Sequence, residues 1–131
     1  MRSRKVSVLV VDDNEEFCQS IANILKLKGY KVVSVYDGFK ALELVKKDGF
    51  DLVLMDVRMP AMDGVETFKR FREVAPDTPV IMVTAYAAED LIREALREGV
   101  YGFLKKPLDF DEFFRLVAQA AGQGGTNTGG G

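Results

Sequence analysis

The chain has no histidine and a single cysteine, Cys18. Without histidine, Ser-His-Asp and Cys-His catalysis are excluded, and so are most zinc sites. One cysteine cannot form an internal disulfide, so Cys18 is expected as a small buried residue of a helix. Sparse cysteine fits a reducing cytosol, and a cytoplasmic location is the expectation. No apolar run approaches the ~18 residues needed to span a bilayer. No secretory apolar segment follows the first residues, so no membrane association is expected. Charge of one sign is also missing. The 18 basic and 20 acidic residues leave a net charge of −2, which offers nucleic acid no basic surface.

What is present is enough apolar material for one core. The 131 residues are 47% hydrophobic and 29% charged, as expected for one ordinary domain. The final segment, 122–131, is rich in glycine and lacks core-forming residues. It reads as a flexible tail or linker after a domain spanning 1–121.

Short valine-rich runs alternate with amphipathic stretches. KVSVLVV (5–11), KVVSV (31–35), DLVLM (51–55), PVIMV (79–83) and YGFL (101–104) read as strands. The central ones are apolar on both faces, as buried parallel strands are. Helices are expected between them. Phe17, Ile21, Ile24 and Leu25 mark the first, with Asn14 suited to its N-cap and Gly29 to its end. The second follows the Asp37-Gly38 turn and covers 39–47. Val65, Phe68 and Phe71 mark the third. Leu91, Ile92, Ala95 and Leu96 mark the fourth, closed by Gly99. Phe110, Phe113, Phe114, Val117 and Ala121 mark the fifth, with Asp109 and Glu112 placed as a capping box. Five strand–helix units imply an α/β fold with a parallel sheet covered on both faces.

One stretch within this pattern needs a reason. In LVLMDVRMPAMDG (52–64), a buried-looking strand runs directly into Asp56. A carboxylate there is costly without charged partners. The other strand ends supply them. The first strand ends at Asp12-Asp13, the fourth at Thr84, and the fifth at Lys105-Lys106-Pro107. In a parallel sheet these ends share one edge, where open α/β sheets bind ligands. The second strand ends in Val35-Tyr36 and is expected at the sheet's border.

Carboxylates gathered at one edge repel. At ~4 Å and an effective dielectric of ~20, each pair costs roughly 4 kcal/mol. A divalent cation removes that cost, and a set without imidazole or thiolate favours hard Mg2+. Cation, ammonium and hydroxyl together suit phosphoryl oxygens. Asp56 then becomes a candidate nucleophile, since carboxylates do form acyl phosphates.

At these residues the chain resembles the receiver domain of two-component response regulators. The resemblance rests on VLVVDDN, DLVLMDVRMPAMDG, VTAY and FLKKPLD, in that order, and covers 5–121. It implies a flavodoxin-like sheet in the order 2-1-3-4-5. It implies phosphorelay signal transduction, in which Asp56 accepts a phosphoryl group from the phosphohistidine of a sensor histidine kinase or phosphotransfer protein. Asp13, Asp56 and the backbone carbonyl of Arg58 would hold Mg2+, with Asp12 acting mainly through water. Lys106 and Thr84 would contact phosphoryl oxygens, and Phe103 would couple to Thr84 in the activation switch. Pro60, Asp63 and Gly64 would shape the loop after Asp56. Arg58 and Tyr86 would flank the path of an attacking water.

The resemblance further implies an output domain or downstream protein as partner. The face bearing Glu89, Arg93, Arg97, Asp111 and Arg115 would be the surface that switches, with a homodimer on phosphorylation as one outcome. The chain would be a phosphoacceptor switch rather than an enzyme, and would not bind nucleic acid directly.

Other classes fit less well. A haloacid-dehalogenase phosphatase needs an acid two residues after its nucleophile, where this chain has Arg58. A dinucleotide site needs glycines after the first strand, where DDNEE stands. A receiver-like partner-binding domain without phosphorylation would normally lack one of the Asp, Thr or Lys residues, and none is missing.

Overall fold

A computed structural model describes residues 5–58, 64–85 and 89–123. The chain order is β1 (Ser7–Val11), α1 (Glu15–Leu27), β2 (Lys31–Val35), α2 (Gly38–Lys47), β3 (Leu52–Met55), α3 (Gly64–Val74), β4 (Val80–Thr84), α4 (Glu89–Glu98), β5 (Gly102–Lys105) and α5 (Phe110–Gln123). The strands form one parallel sheet in the order β2-β1-β3-β4-β5. The alternating pattern implied the five strand–helix units and the parallel sheet, and the resemblance implied this flavodoxin-like order.

Strand ends differ from the sequence reading by a residue or two, because pairing rather than composition sets them. β4 extends to Thr84, whose Cα pairs with Lys105. β1 starts at Ser7, where the pairing with Lys31 of β2 begins. α5 runs two residues past the expected boundary at 121, and the segment 124–131 lies outside the described residues.

Alternation along the strands makes two apolar layers. Leu9, Val11, Val53, Met55 and Met82 face one side, under α2, α3 and α4, and Phe103 packs against this layer. Val8, Val10, Leu54, Ile81, Val83 and Leu104 face the other, under α1 and α5. β3 and β4 are buried throughout, which accounts for their continuous apolar runs. Burying one such valine or leucine is worth about 1.5–3 kcal/mol.

The helix ends follow local chemistry. Asn14 caps α1, its side chain accepting from the N–H of Phe17 at 3.0 Å. Asp37 caps α2 through the N–H of Lys40 at 2.8 Å. Asp109 accepts the N–H of Glu112 at 3.2 Å, supplying one half of the expected capping box. Gly29 and Gly99 take φ of +96° and +107° after α1 and α4, a backbone region that L-side chains resist.

α4 departs from the pattern. Only Ala95 of its apolar residues is fully buried, and Leu96 is 50% exposed. Phe110 is likewise 44% exposed at the start of α5. Periodicity places such residues on an apolar stripe but does not say how wide the cover over that stripe is.

Candidate functional site

Backbone pairing delivers the polar residues to one sheet edge. The N–H of Asp12 donates to the Val35 carbonyl at 3.2 Å. That of Asp56 donates to Val11 at 2.9 Å, and that of Lys106 to Thr84 at 2.8 Å. Each strand end is therefore tied to its neighbour, so the side chains that follow have fixed origins.

Asp12, Asp13 and Asp56 each offer a carboxylate oxygen, all within 4.8 Å of one another. Asp12 is 1% exposed and Asp56 8%, while Asp13 is exposed. Lys106 closes the cluster. Its Nζ lies 2.6 Å from Asp12 Oδ2 and 3.3 Å from Asp56 Oδ2. The other oxygens accept backbone donors: the N–H of Asn14 reaches Asp12 Oδ1 at 2.9 Å, and that of Arg58 reaches Asp56 Oδ1 at 3.1 Å.

The electrostatics follow from burial. Asp12 holds its proton above the usual carboxylate range, because desolvation opposes its charge and the Lys106 hydrogen bond only partly offsets this; the charge of Asp56 pushes the same way. Burial pulls Lys106 down, yet its hydrogen bond to Asp12 and the charges of Asp12 and Asp56 outweigh that and hold it above the ordinary lysine value. The cluster thus carries more buried negative charge than one ammonium balances. An all-oxygen donor set in that state suits a hard divalent cation.

Thr84 ends β4 and is 1% exposed. Alternation puts it on the face of Val80 and Met82; its direct partner on β5 is Lys105, and Phe103, the partner of Met82, lies diagonally from it on the same face. Asp12, Asp56 and Lys106 follow the opposite parity, and Asp12 and Asp56 line a small cavity with Phe17 and Phe113 on that side. Gly64 opens α3. Pro60, Asp63 and Tyr86 lie outside the described residues. Lys105 is exposed, whereas the Lys106 side chain is only 16% exposed.

Two features escaped the sequence reading. Phe17, taken only as a core residue of α1, sets its ring 4.0 Å from Lys106 Nζ. Its place in the first turn after Asp12-Asp13 was the available signal. Cys18, fully buried as expected, also donates its S–H to the Asp12 carbonyl at 3.3 Å.

The family model described as "Response regulator receiver domain" matches residues 8–118. The chain belongs to that family. Receiver domains are phosphoacceptor switches of two-component signalling, and the family generally binds Mg2+.

Among curated relatives, the transcriptional regulatory protein ZraR of Klebsiella oxytoca is 42% identical over 120 residues, 92% of this chain and 27% of ZraR. The regulatory protein AtoC of Escherichia coli K12 is 38% identical over 113 residues, 86% of this chain and 24% of AtoC. The chain therefore spans about a quarter of the length of these relatives. A receiver domain of an HD-domain protein from Pseudomonas fluorescens Pf-5 superposes with a TM-score of 0.89 at 30% identity, covering 95% of this chain and 92% of that one. CheY in the CheX–CheY–BeF3–Mg2+ complex of Borrelia burgdorferi gives 0.82 at 29% identity, covering 87% of each chain.

Proposed function

We propose that Asp56 accepts a phosphoryl group from the phosphohistidine of a sensor histidine kinase or a phosphotransfer protein. Asp13, Asp56 and the carbonyl of Arg58 would hold Mg2+ in this reading, with Asp12 acting mainly through water, and Lys106 and Thr84 would take the phosphoryl oxygens. The observation that carries it is the Lys106 ammonium bridging two buried carboxylates at adjacent strand ends, 2.6 and 3.3 Å away.

In the transfer, an Asp56 carboxylate oxygen bonds to phosphorus while the donor's P–N bond breaks. The electron pair leaves with the imidazole nitrogen. Bound Mg2+ supplies positive charge against the carboxylates and the phosphoryl oxygens. Lys106 moves from Asp56 toward a phosphoryl oxygen as Asp56 loses its charge, keeping its hold on Asp12. Arg58 orients Asp56 through its backbone N–H.

The signal then passes to an output domain or a downstream protein, with homodimerisation as one form of readout. The chain performs only its own phosphotransfer and dephosphorylation, in the cytoplasm. Among the described residues no helix is long and apolar enough to cross a membrane.

Acetyl phosphate with intact-mass detection tests the assignment. The expected result is one added phosphoryl group in Mg2+ and none in EDTA or in Asp56→Asn. Label that persists in Asp56→Asn overturns it.

A further inference from the structure

We propose that Phe17 is a positioning residue for Lys106, acting through the face of its ring; this rests on the phosphoacceptor reading above. Four contacts form a closed circuit around the lysine. Lys106 Nζ reaches Asp12 Oδ2 at 2.6 Å. Asp12 Oδ1 accepts the N–H of Asn14 at 2.9 Å. Asn14 Oδ1 accepts the N–H of Phe17 at 3.0 Å. The Phe17 ring returns to Lys106 Nζ at 4.0 Å from its centroid. The bond that caps α1 therefore also sets where the ring stands relative to the ammonium.

An ammonium has three donors and no acceptor. Two point at Asp12 and Asp56. The ring offers the remaining side of the charge a negative π-face, which attracts without demanding a direction. That property matters when Lys106 has to exchange Asp56 for a phosphoryl oxygen. A third carboxylate would hold the amine back. A leucine would fill the space but leave that side of the charge without attraction. The ring steadies Nζ near the reacting atoms and lets it pivot.

Three forms of position 17 test this: Phe17→Leu, Phe17→Tyr, and wild type carrying trifluorophenylalanine at residue 17, which keeps the shape and weakens the π-face. The first measurement is the phosphorylation rate with acetyl phosphate and Mg2+. Phe17→Leu is expected to slow it about fivefold, ~1 kcal/mol. Phe17→Tyr should stay within about twofold of wild type, and the fluorinated form should fall between. The second is the NMR shift of the Lys106 ammonium in protein without donor. It should lose its ring-current displacement in Phe17→Leu and keep it in Phe17→Tyr. An unmoved Lys106 signal, or equal rates in the leucine, tyrosine and fluorinated forms, overturns the proposal. The NMR arm needs no phosphorylation, so it stands apart from any failure of Asp56 as acceptor.

Discussion

The Thr84 carbonyl accepts the N–H of Lys106 at 2.8 Å, yet their side chains leave opposite faces of the sheet. Lys106 turns toward Asp12 and Phe17 on the α1 side. Thr84 shares its face with Phe103, which packs into the layer under α2, α3 and α4. One backbone hydrogen bond therefore joins the carboxylate edge to the layer beneath α4.

From this follows the first prediction. Beryllofluoride with Mg2+ should shift amide signals across α4, β5 and the start of α5, as expected for a pre-existing equilibrium being biased. Thr84→Ala should shrink the shifts at 89–98 while leaving those at 12–14 and 56–58. If wild-type changes stop at the carboxylate loops, the face bearing Glu89, Arg93, Arg97, Asp111 and Arg115 does not carry the switch.

A second prediction concerns the lifetime of the phosphoryl group. Arg58 is exposed, and its N–H already holds Asp56. Neither Arg58 nor Tyr86 is suited to orient an attacking water. Arg58→Asn and Tyr86→Glu should each hasten phosphate loss by a few fold, ~1 kcal/mol in the barrier. Donor removal followed by timed intact mass measures this, and unchanged decay in both variants refutes it.

How much of this was legible from residues alone depends on distance along the chain. The five valine-rich runs and their acidic or cationic ends announce a parallel sheet with one polar edge, and Asp12, Asp13, Asp56 and Lys106 do meet there. Phe17 was hidden because the spacing that marks it as a helix residue says nothing of what stands opposite. Gly38 read as a turn glycine, while its buried neighbour Thr67 drew no notice between Val65 and Phe68. Leu96 fits the apolar stripe of α4 but stays half open, because cover depends on neighbouring elements rather than on the stripe.

The third prediction comes from Gly38. A Cβ added there would stand 2.5 Å from Thr67 Oγ1, so the buried Thr67 side chain would have to turn or α2 and α3 to part. Gly38→Ala should cost about 1–3 kcal/mol in denaturant unfolding, despite the better helix propensity of alanine. The penalty should shrink on a Thr67→Ala background. A Gly38→Ala protein as stable as wild type would contradict the close approach.

Cys18 supplies the fourth. Burial first, then the charge of Asp12, pushes its thiol up to about 12. Unfolding returns it to ~8.5. Below that value both states hold the proton and stability is unaffected. Above it the unfolded state binds fewer protons, so stability falls as pH rises toward the folded value. Between about pH 9 and pH 10, wild type should lose ~1 kcal/mol more than Cys18→Ala. Urea unfolding at the two pH values checks the difference, and parallel losses would refute it. The native thiol should also resist alkylation.

The depth of Asp56 has a consequence for fidelity. With 8% of its surface open, this carboxylate offers a donor only a small opening. With Asp56 as acceptor, a small donor such as acetyl phosphate would enter by its size, whereas a macromolecular donor would have to bring its phosphorus on a narrow, protruding group such as an imidazole. Depth would then sort large donors by shape before any wider contact forms.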